Sequence, residues 1–167
     1  FREGVRIELL CGDRARRYLS ACWEQSLRIG QALSVKPTAG FAAVERLLAE
    51  LGALKLRAAQ LEETVFVQTA ARYAGAGDVL LFEGEMPGDS LRKLCDAVAS
   101  VCGGRCAVFA GTEGAYKYAI GHAGGDLRAL TKELNAALSG RGGGKPHFVQ
   151  GSVSCRRADI ETFFTRN

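Results

Sequence analysis

A glycine-rich string with two basic residues is the part of this sequence best suited to bind an anion. It spans residues 139–152 and reads Ser-Gly-Arg-Gly-Gly-Gly-Lys-Pro-His-Phe-Val-Gln-Gly-Ser. Glycine permits unusual backbone conformations and leaves amide N–H groups open to a ligand. Arg141 and Lys145 add positive charge on either side of three glycines, and Gln150 can donate or accept a specific hydrogen bond. The string therefore predicts a loop that binds phosphate, with a nucleotide or a nucleic-acid backbone as its natural ligand.

Positive charge is concentrated in the same region. Residues 140–157 contain no acidic side chain and four basic ones, Arg141, Lys145, Arg156 and Arg157. The alternative interpretation is a flexible linker after a helix, although a plain linker has no reason to contain Lys-Pro-His-Phe and then Gln-Gly-Ser. The string is not a Walker A loop, because Gly-Lys is not followed by Ser or Thr. It is not a dinucleotide-binding loop either, because it follows a predicted helix and not a strand.

Cysteine and histidine are a second source of chemistry, but their spacing favours a structural role. No two cysteines have the CxxC spacing of a structural zinc site, and each histidine stands alone. We therefore expect buried or half-buried reduced thiols in a cytoplasmic protein, with no metal bound by this chain. The residues concerned are Cys11, Cys22, Cys95, Cys102, Cys106, Cys155, His122 and His147.

Composition limits the classes of protein and partner. Of 167 residues, 47% are hydrophobic and 24% charged, which is typical of a globular chain and excludes wholesale disorder. No apolar stretch approaches the ~20 residues of a membrane span, so we expect no membrane partner. Lys and Arg exceed Asp and Glu by 22 to 18, a net charge of +4, so nucleic-acid binding would have to depend on local clusters. Because the chain begins with Phe1 and has no secretory signal, we expect it to be a fragment of a longer protein.

The N-terminal half predicts a strand followed by two helices. Residues 5–10 alternate partly like a strand, Asp13 can cap a helix that runs to about Gln31, and Pro37 suits the first turn of a second helix. Two helices joined by a short turn favour an antiparallel hairpin over residues 13–74. Its second helix has a heptad stripe, which either packs within the hairpin or forms a dimer seam. The stripe comprises Val44, Leu47, Leu51, Leu54, Ala58, Leu61 and Val65.

The C-terminal half predicts a second domain over residues 75–167. Its order of strand, helix, strand, strand and helix is typical of a small mixed sheet covered by helices, so the fold class is α+β. Residues 154–164 favour a short terminal helix. Tyr116 and Tyr118 alternate on the third strand, where they either stack on unpaired bases or pack against the core. The predicted inward helix faces are Leu91, Leu94, Cys95 and Val98, then Leu127, Leu130, Leu134 and Leu138.

The glycine string also resembles a family signature. Residues 142–146 followed by Gln150-Gly151 resemble the DHH-associated domain of alanyl-tRNA synthetases and related editing proteins, and the element order from Asp78 onward is similar. Residues 4–8 and 11–15 resemble the segment that closes the editing domain, in the form found in long-form alanyl-tRNA editing proteins (AlaX). Ser34-Val35-Lys36-Pro37 is similar to their linker. The resemblance covers the whole chain.

This resemblance implies a different role for each of three segments of the chain. Residues 1–12 would end an upstream editing domain, 13–74 would form the helical linker, and 75–167 the DHH-associated domain. In that family a zinc-dependent editing domain hydrolyses the ester of mischarged tRNA(Ala), and its metal ligands lie upstream of Val5. The chain itself is then expected to be catalytically inactive and to bind tRNA(Ala), with zinc held only by the upstream domain. The implied RNA-binding residues are Arg141, Gly142, Gly143, Gly144, Lys145, Pro146, Gln150 and Arg156.

Two other functions stay open. The chain could be an oligomerisation module that forms a homodimer through the helical hairpin. It could also be the substrate-binding domain of a DHH-type phosphoesterase, in which a related glycine loop ending in His binds phosphate. Lys145-Pro146 stands in that place here, and the clustered Asp and His residues of two-metal chemistry are missing from the sequence.

Overall fold

The computed structural model describes residues 4–5 and 7–166, which form two compact units. These units are Phe1–Ala58 and Ala59–Asn167, and the division falls within the second helix of the chain. The domain borders that the sequence places at residues 12 and 74 stay predictions. None of the helices in the described residues is long and apolar enough to cross a membrane.

The first unit begins without the predicted strand. Val5 and residues 7–10 adopt no strand conformation, and Val5, Ile7 and Leu9 are 83–89% exposed, while Arg6 lies outside the described residues. A strand is stabilised by hydrogen bonds to a neighbouring strand, and these residues are paired with none in the described sheet. The predicted strand over residues 5–10 is therefore wrong for the positions that the structure describes.

Two helices account for most of the first unit. Helix α1 is Gly12–Ala32, and helix α2 is Gly40–Arg72, preceded by a 3₁₀ turn at Pro37–Ala39. Pro37 thus begins the second helical segment as predicted. Asp13 lies inside the first turn of α1 and not at its cap, which is Cys11. In that turn its carboxylate pairs with Arg16 at 2.8 Å and with Arg17 at 3.1 Å. Negative charge at a helix N-terminus is favourable, so Asp13 still stabilises this end.

Apolar side chains of α1 and the heptad stripe of α2 are exposed. In α1, Leu19 and the chain's single tryptophan, Trp23, are each more than half exposed. In α2, the heptad positions Val44 to Val65 keep exposed fractions of 40–63% at every Leu and Val. The two helices and their Pro-containing turn are present, but in the residues that the structure describes the heptad stripe of α2 is not packed within the hairpin.

The second unit carries a five-stranded mixed sheet. Its strands lie in the order β1-β2-β3-β5-β4, where β1 and β2 are parallel and the other neighbours antiparallel. This architecture confirms the α+β class. The elements are β1 Gly77–Glu83, α3 Gly88–Cys102, β2 Gly103–Thr112, β3 Ala115–His122, α4 Arg128–Ala137, β4 Arg141–Lys145, β5 Phe148–Val153 and α5 Arg157–Arg166.

The glycine string is a hairpin, which corrects the predicted loop. Strand β4, Arg-Gly-Gly-Gly-Lys, pairs with β5 through a two-residue turn at Pro146 and His147. Glycine is unfavourable in strands because it has no side chain to pack, and the sequence pattern therefore favours a loop. At this edge of the sheet the missing side chains allow the strand to fit, because a Cβ on Gly142 or Gly144 would meet atoms of Tyr118 or Phe148.

Two apolar clusters cover the two faces of the sheet. Helix α3 packs on one face and α4 and α5 on the other, and the predicted inward faces of α3 and α4 are confirmed. Tyr116 and Tyr118 belong to the second cluster and are buried, so the packing interpretation is confirmed and base stacking by these rings is wrong. Their rings contact Phe82 and Phe109.

The cysteines divide between the core and the surface. Cys95, Cys102 and Cys106 are buried, as expected, whereas Cys11 and Cys22 are exposed. The Cys95 thiol donates to the carbonyl oxygen of Cys106 at 3.5 Å. Its hydrogen bond to Cys106, together with burial, raises the pKa of Cys95, so this thiol stays protonated and unreactive.

Candidate nucleic-acid interface

Three neighbouring strands bring polar side chains together on one face of the sheet. Arg141 on β4 lies opposite Ser152 on β5, which lies opposite Lys117 on β3. Gly143 lies opposite Gln150 in the same way. Because side chains alternate between the two faces of a strand, these positions and Lys145 share one face. We call this surface the open face, and it comprises Lys117, Arg141, Gly143, Lys145, Gln150 and Ser152, all of them exposed.

Helix α3 sets the limit of the open face. A Cβ built on Gly121 of β3 would lie 3.0 Å from Ala99 Cβ and 3.4 Å from Cys95 Sγ, so α3 lies directly on this end of β3. Phe148 packs against the same cluster. The positions of β4 and β5 beyond α3 stay uncovered, which leaves a sheet surface open to a large ligand.

The three cations of the open face lack carboxylate partners. Lys117, Arg141 and Lys145 form no ion pair within the described part of the chain. Strand geometry places Arg141 and Lys145 about 14 Å apart along β4 and Lys117 about 10 Å across from Arg141. Unpaired cations held on a rigid sheet are available to phosphate groups.

The remaining two cations of the basic segment are already neutralised. Arg156 donates to Asp159 at 3.4 Å, and Arg157 donates to Glu161 at 2.7 Å. The carboxylates come from α5, just after the segment, which is why counting charges over residues 140–157 misses them. Arg156 precedes α5 and is not brought to the open face.

Most glycines of the hairpin are required by packing. A Cβ on Gly142 would collide with Tyr118 Oη, and one on Gly144 would collide with the carbonyl oxygen of Phe148. A Cβ on Gly151 would lie 2.8 Å from Tyr118 Oη. The buried face of the hairpin therefore closes on the Tyr118 ring, and burial raises the pKa of that phenol.

Gly143 has no such requirement. A Cβ built on it meets no atom within 4 Å, and its φ lies outside the left-handed region. It is therefore a bare stretch of backbone between Arg141 and Lys145, on the side where a ligand can approach. A glycine that neither packing nor backbone conformation demands is typical of close contact with a ligand.

The hairpin is fixed at both ends. Asn135 Nδ2 donates to the carbonyl oxygen of Gly142 at 3.1 Å, and Tyr118 Oη donates to Asn135 Oδ1 at 3.2 Å. In the turn, the carbonyl oxygens of Pro146 and His147 accept main-chain hydrogen bonds at 2.7 Å and 3.0 Å. Pro146 thus supports the turn and is not part of the open face.

The edge of the sheet adds backbone donors. A two-residue turn makes Lys145 and Phe148 a hydrogen-bonded pair, and alternation then turns the N–H groups of Gly142 and Gly144 away from β5. In the described sheet, β4 has no neighbour on that side. These amides point outward beside the cations and can donate to an anion.

A groove borders the open face. It has a volume of about 510 Å³ and lies between the first turn of α3 and strands β3 and β5, with Lys117 and Gln150 in its wall. Asp89 and Arg92 line it from α3. Hydrogen bonds from Lys93 and Arg92 lower the pKa of Asp89, so this carboxylate is ionised and its charge is largely balanced by its own helix.

The structure thus gathers part of the predicted set. Arg141, Gly143, Lys145 and Gln150 lie on the open face, Gly142 and Gly144 lie at its edge, and Arg156 is separate. Sequence reasoning missed Lys117 and Ser152. The signal for Lys117 was the alternation of β3, and Ser152 ends the glycine string. The register of β5 with β3 and β4 was needed to place both beside Arg141.

No metal-binding cluster of three His, Cys, Asp or Glu side chains occurs in residues 4–5 and 7–166.

Comparison with known proteins gives structural neighbours and no family. No family model matches the chain, and no curated protein matches it. The RecJ structure in complex with Mg²⁺ from Thermus thermophilus is similar at a TM-score of 0.54 and 16% identity, over 84% of this chain. The chain spans 27% of that RecJ. At this identity, the similarity shows a related fold.

The second neighbour is a domain of a synthetase. The C-Ala domain of alanyl-tRNA synthetase from Aquifex aeolicus has a TM-score of 0.47 and 16% identity, over 53% of this chain and 85% of that domain.

Proposed function

We propose that this chain is a non-catalytic, tRNA-binding module of a protein that deacylates mischarged alanine tRNA. The observation that carries the proposal is the open face, where Lys117, Arg141 and Lys145 stand unpaired around a bare glycine backbone. Three fixed cations and outward amides suit the sugar–phosphate chain of an RNA. The sequence resemblance to AlaX proteins favours tRNA(Ala) as the RNA, with the ester hydrolysis and its zinc belonging to an upstream domain.

The test is tRNA(Ala) binding by the purified chain across a range of salt concentrations. We expect Lys145→Ala to weaken binding by about tenfold at low salt, because a charge-assisted hydrogen bond is lost. The slope of log K against the logarithm of the salt concentration should decrease in magnitude by about one, which corresponds to the loss of one phosphate contact. Arg141→Ala and Lys117→Ala should behave in the same way, whereas the paired Arg156 should contribute less.

Lys132 provides a matched control. It is an exposed lysine on α4, with no ion pair in the described chain, and α4 covers the opposite face of the sheet. Lys132→Ala removes the same charge and should leave both affinity and salt dependence nearly unchanged. Equal weakening by Lys132→Ala and Lys145→Ala would mean that net charge, and not the open face, binds the RNA.

A second candidate function is oligomerisation through the helical segment. The exposed heptad stripe of α2 favours it, because an apolar stripe of this length is costly to leave in water. Sedimentation of the chain separates the two functions, since a monomer that still binds tRNA would exclude an essential oligomer. The similarity of fold to RecJ is consistent with the phosphoesterase alternative.

A further inference from the structure

The exposed heptad stripe of α2 has the composition of a two-stranded parallel coiled coil. With Val44 as position a, every d position is leucine and two of the four a positions are valine. Leucine at d with β-branched residues at a favours parallel dimers. The d residues are Leu47, Leu54 and Leu61, and the a residues are Val44, Leu51, Ala58 and Val65.

The charges beside this stripe match a second copy of the same helix. In a parallel coiled coil, each g residue faces the e residue five positions later on its partner. Glu50 occupies g and Lys55 the following e position, so the two form an opposite-charge pair across the seam. The same spacing recurs at Arg57 and Glu62. Both pairs occur twice in a symmetric dimer.

The groups of the first pair are free to make this contact. Within its own helix, Glu50 meets Arg46 only at 3.8 Å, and its side chain is 61% exposed. Lys55 forms no ion pair with a described residue. Glu62, by contrast, accepts hydrogen bonds from Ser90 Oγ at 3.1 Å, so the second pair has a competing partner.

Antiparallel pairing fits less well. In that orientation g residues face g residues and e residues face e residues. Pairing Leu51 with Leu61 of the other copy brings Arg57 against Arg57 and Lys55 against Lys55. Shifting the antiparallel register by one heptad gives two opposite-charge contacts, Glu50–Arg57 in one direction or Lys55–Glu62 in the other, whereas the parallel dimer has four.

We propose that two copies of this chain associate through α2 as a parallel, in-register coiled coil with Glu50–Lys55 pairs across the seam. This inference rests on the oligomerisation candidate above and adds the orientation, the register and the residues that specify them. It does not depend on RNA binding.

Disulfide trapping of the full chain tests the orientation. In a background of Cys11→Ser and Cys22→Ser, which removes the exposed thiols, Leu47→Cys should form a covalent dimer on mild oxidation. Parallel register brings the two positions 47 within disulfide reach, whereas in the antiparallel registers above they are eleven or more residues apart, about 16 Å or more. Glu45→Cys, at an outward b position, is the matched control and should not cross-link.

Charge reversal tests the register independently. Glu50→Lys and Lys55→Glu should each weaken self-association by about tenfold, because two attractive pairs become repulsive. Mixing the two variants should restore it, since every pair across the mixed dimer is again attractive. Circular dichroism checks that both variants keep their helices.

The outcomes separate the two levels of the proposal. A monomer by sedimentation up to high concentration would overturn both oligomerisation and this seam, and would leave the stripe to another segment or protein. A dimer that fails to cross-link at position 47 would overturn the parallel register while oligomerisation stands.

Discussion

At the scale of single residues, the hairpin separates glycines that the fold needs from one that it does not. Gly142, Gly144 and Gly151 each lie where a Cβ would meet main-chain or Tyr118 atoms. Gly143 meets nothing. Four glycines that look alike in sequence therefore differ in the cost of substitution, and only Gly143 can be replaced without moving neighbouring atoms.

This difference gives a prediction about stability and binding. Gly143→Thr should leave the melting temperature unchanged or slightly raised, because threonine favours strands and the site has room. It should weaken tRNA binding by about tenfold or more, because its side chain fills the space between Arg141 and Lys145. Thermal denaturation and the tRNA titration measure the two effects.

Gly142→Ala is the matched comparison. Its methyl group would collide with Tyr118 Oη, so we expect a loss of about 1–3 kcal/mol in the free energy of unfolding. Undiminished tRNA binding by Gly143→Thr would contradict a role for this backbone in ligand contact.

Residue-level prediction from sequence is easiest where the signal is local. Arg141, Lys145 and Gln150 are recognisable because they stand beside glycines in one short string. The ion pair of Arg156 is not visible in the string, because its partner Asp159 lies in the next element and faces it only once α5 folds. Lys117 is missed because its alignment with Arg141 depends on two strand pairings.

At the scale of elements, Asn135 holds the glycine strand in place. Its side chain donates to Gly142 from one side, while its main-chain oxygen accepts from Gly140 N–H at 2.9 Å. Strand β4 has no sheet neighbour on its outer side in the described residues, and three of its five residues lack side chains. The side-chain bond of Asn135 therefore replaces part of the missing support.

Removing that bond should loosen β4 without unfolding the sheet. For Asn135→Ala we expect amide hydrogen exchange at Gly143 and Lys145 to accelerate about tenfold, as loss of one hydrogen bond implies. Exchange in β2 should not change. Glu133→Ala, exposed on the same helix, is the control, and equal rates in both variants would refute this role for Asn135.

Element prediction from sequence follows hydrophobic periodicity closely. The inward faces of α3 and α4 are found because buried residues recur at three- and four-residue spacing. The β4–β5 hairpin is not found, because glycine hides strand periodicity. The strand at residues 5–10 is predicted in error, because alternation alone does not supply a pairing partner.

At the scale of the whole molecule, the two units differ in how much they bury. In the described residues up to Ala58, only Gly30, Gly40 and Ala43 are buried. Both apolar clusters belong to the second unit, where Val98 and Leu134 are fully buried. Local stability follows burial, so the first unit should open far more readily as a monomer.

This contrast predicts concentration-dependent protection. At low concentration, amides of α1 and of residues 40–58 should exchange much faster than those of β2 and β3. As concentration rises and α2 self-associates, protection over residues 44–58 should increase, while that of β2 stays constant. Hydrogen exchange with mass spectrometry at two concentrations measures both, and protection of residues 44–58 that does not vary with concentration would contradict self-association.

The position of Trp23 has a practical consequence. It is the only tryptophan in the sequence and lies more than half exposed on α1, whereas Tyr116 and Tyr118 are enclosed in the sheet domain. Tryptophan fluorescence, excited at the red edge of the absorption band, therefore reports on the first unit alone. The tyrosine signal reports mainly on the second unit. The chain carries its own pair of optical labels, so melting of each half can be followed in one cuvette without attaching a dye.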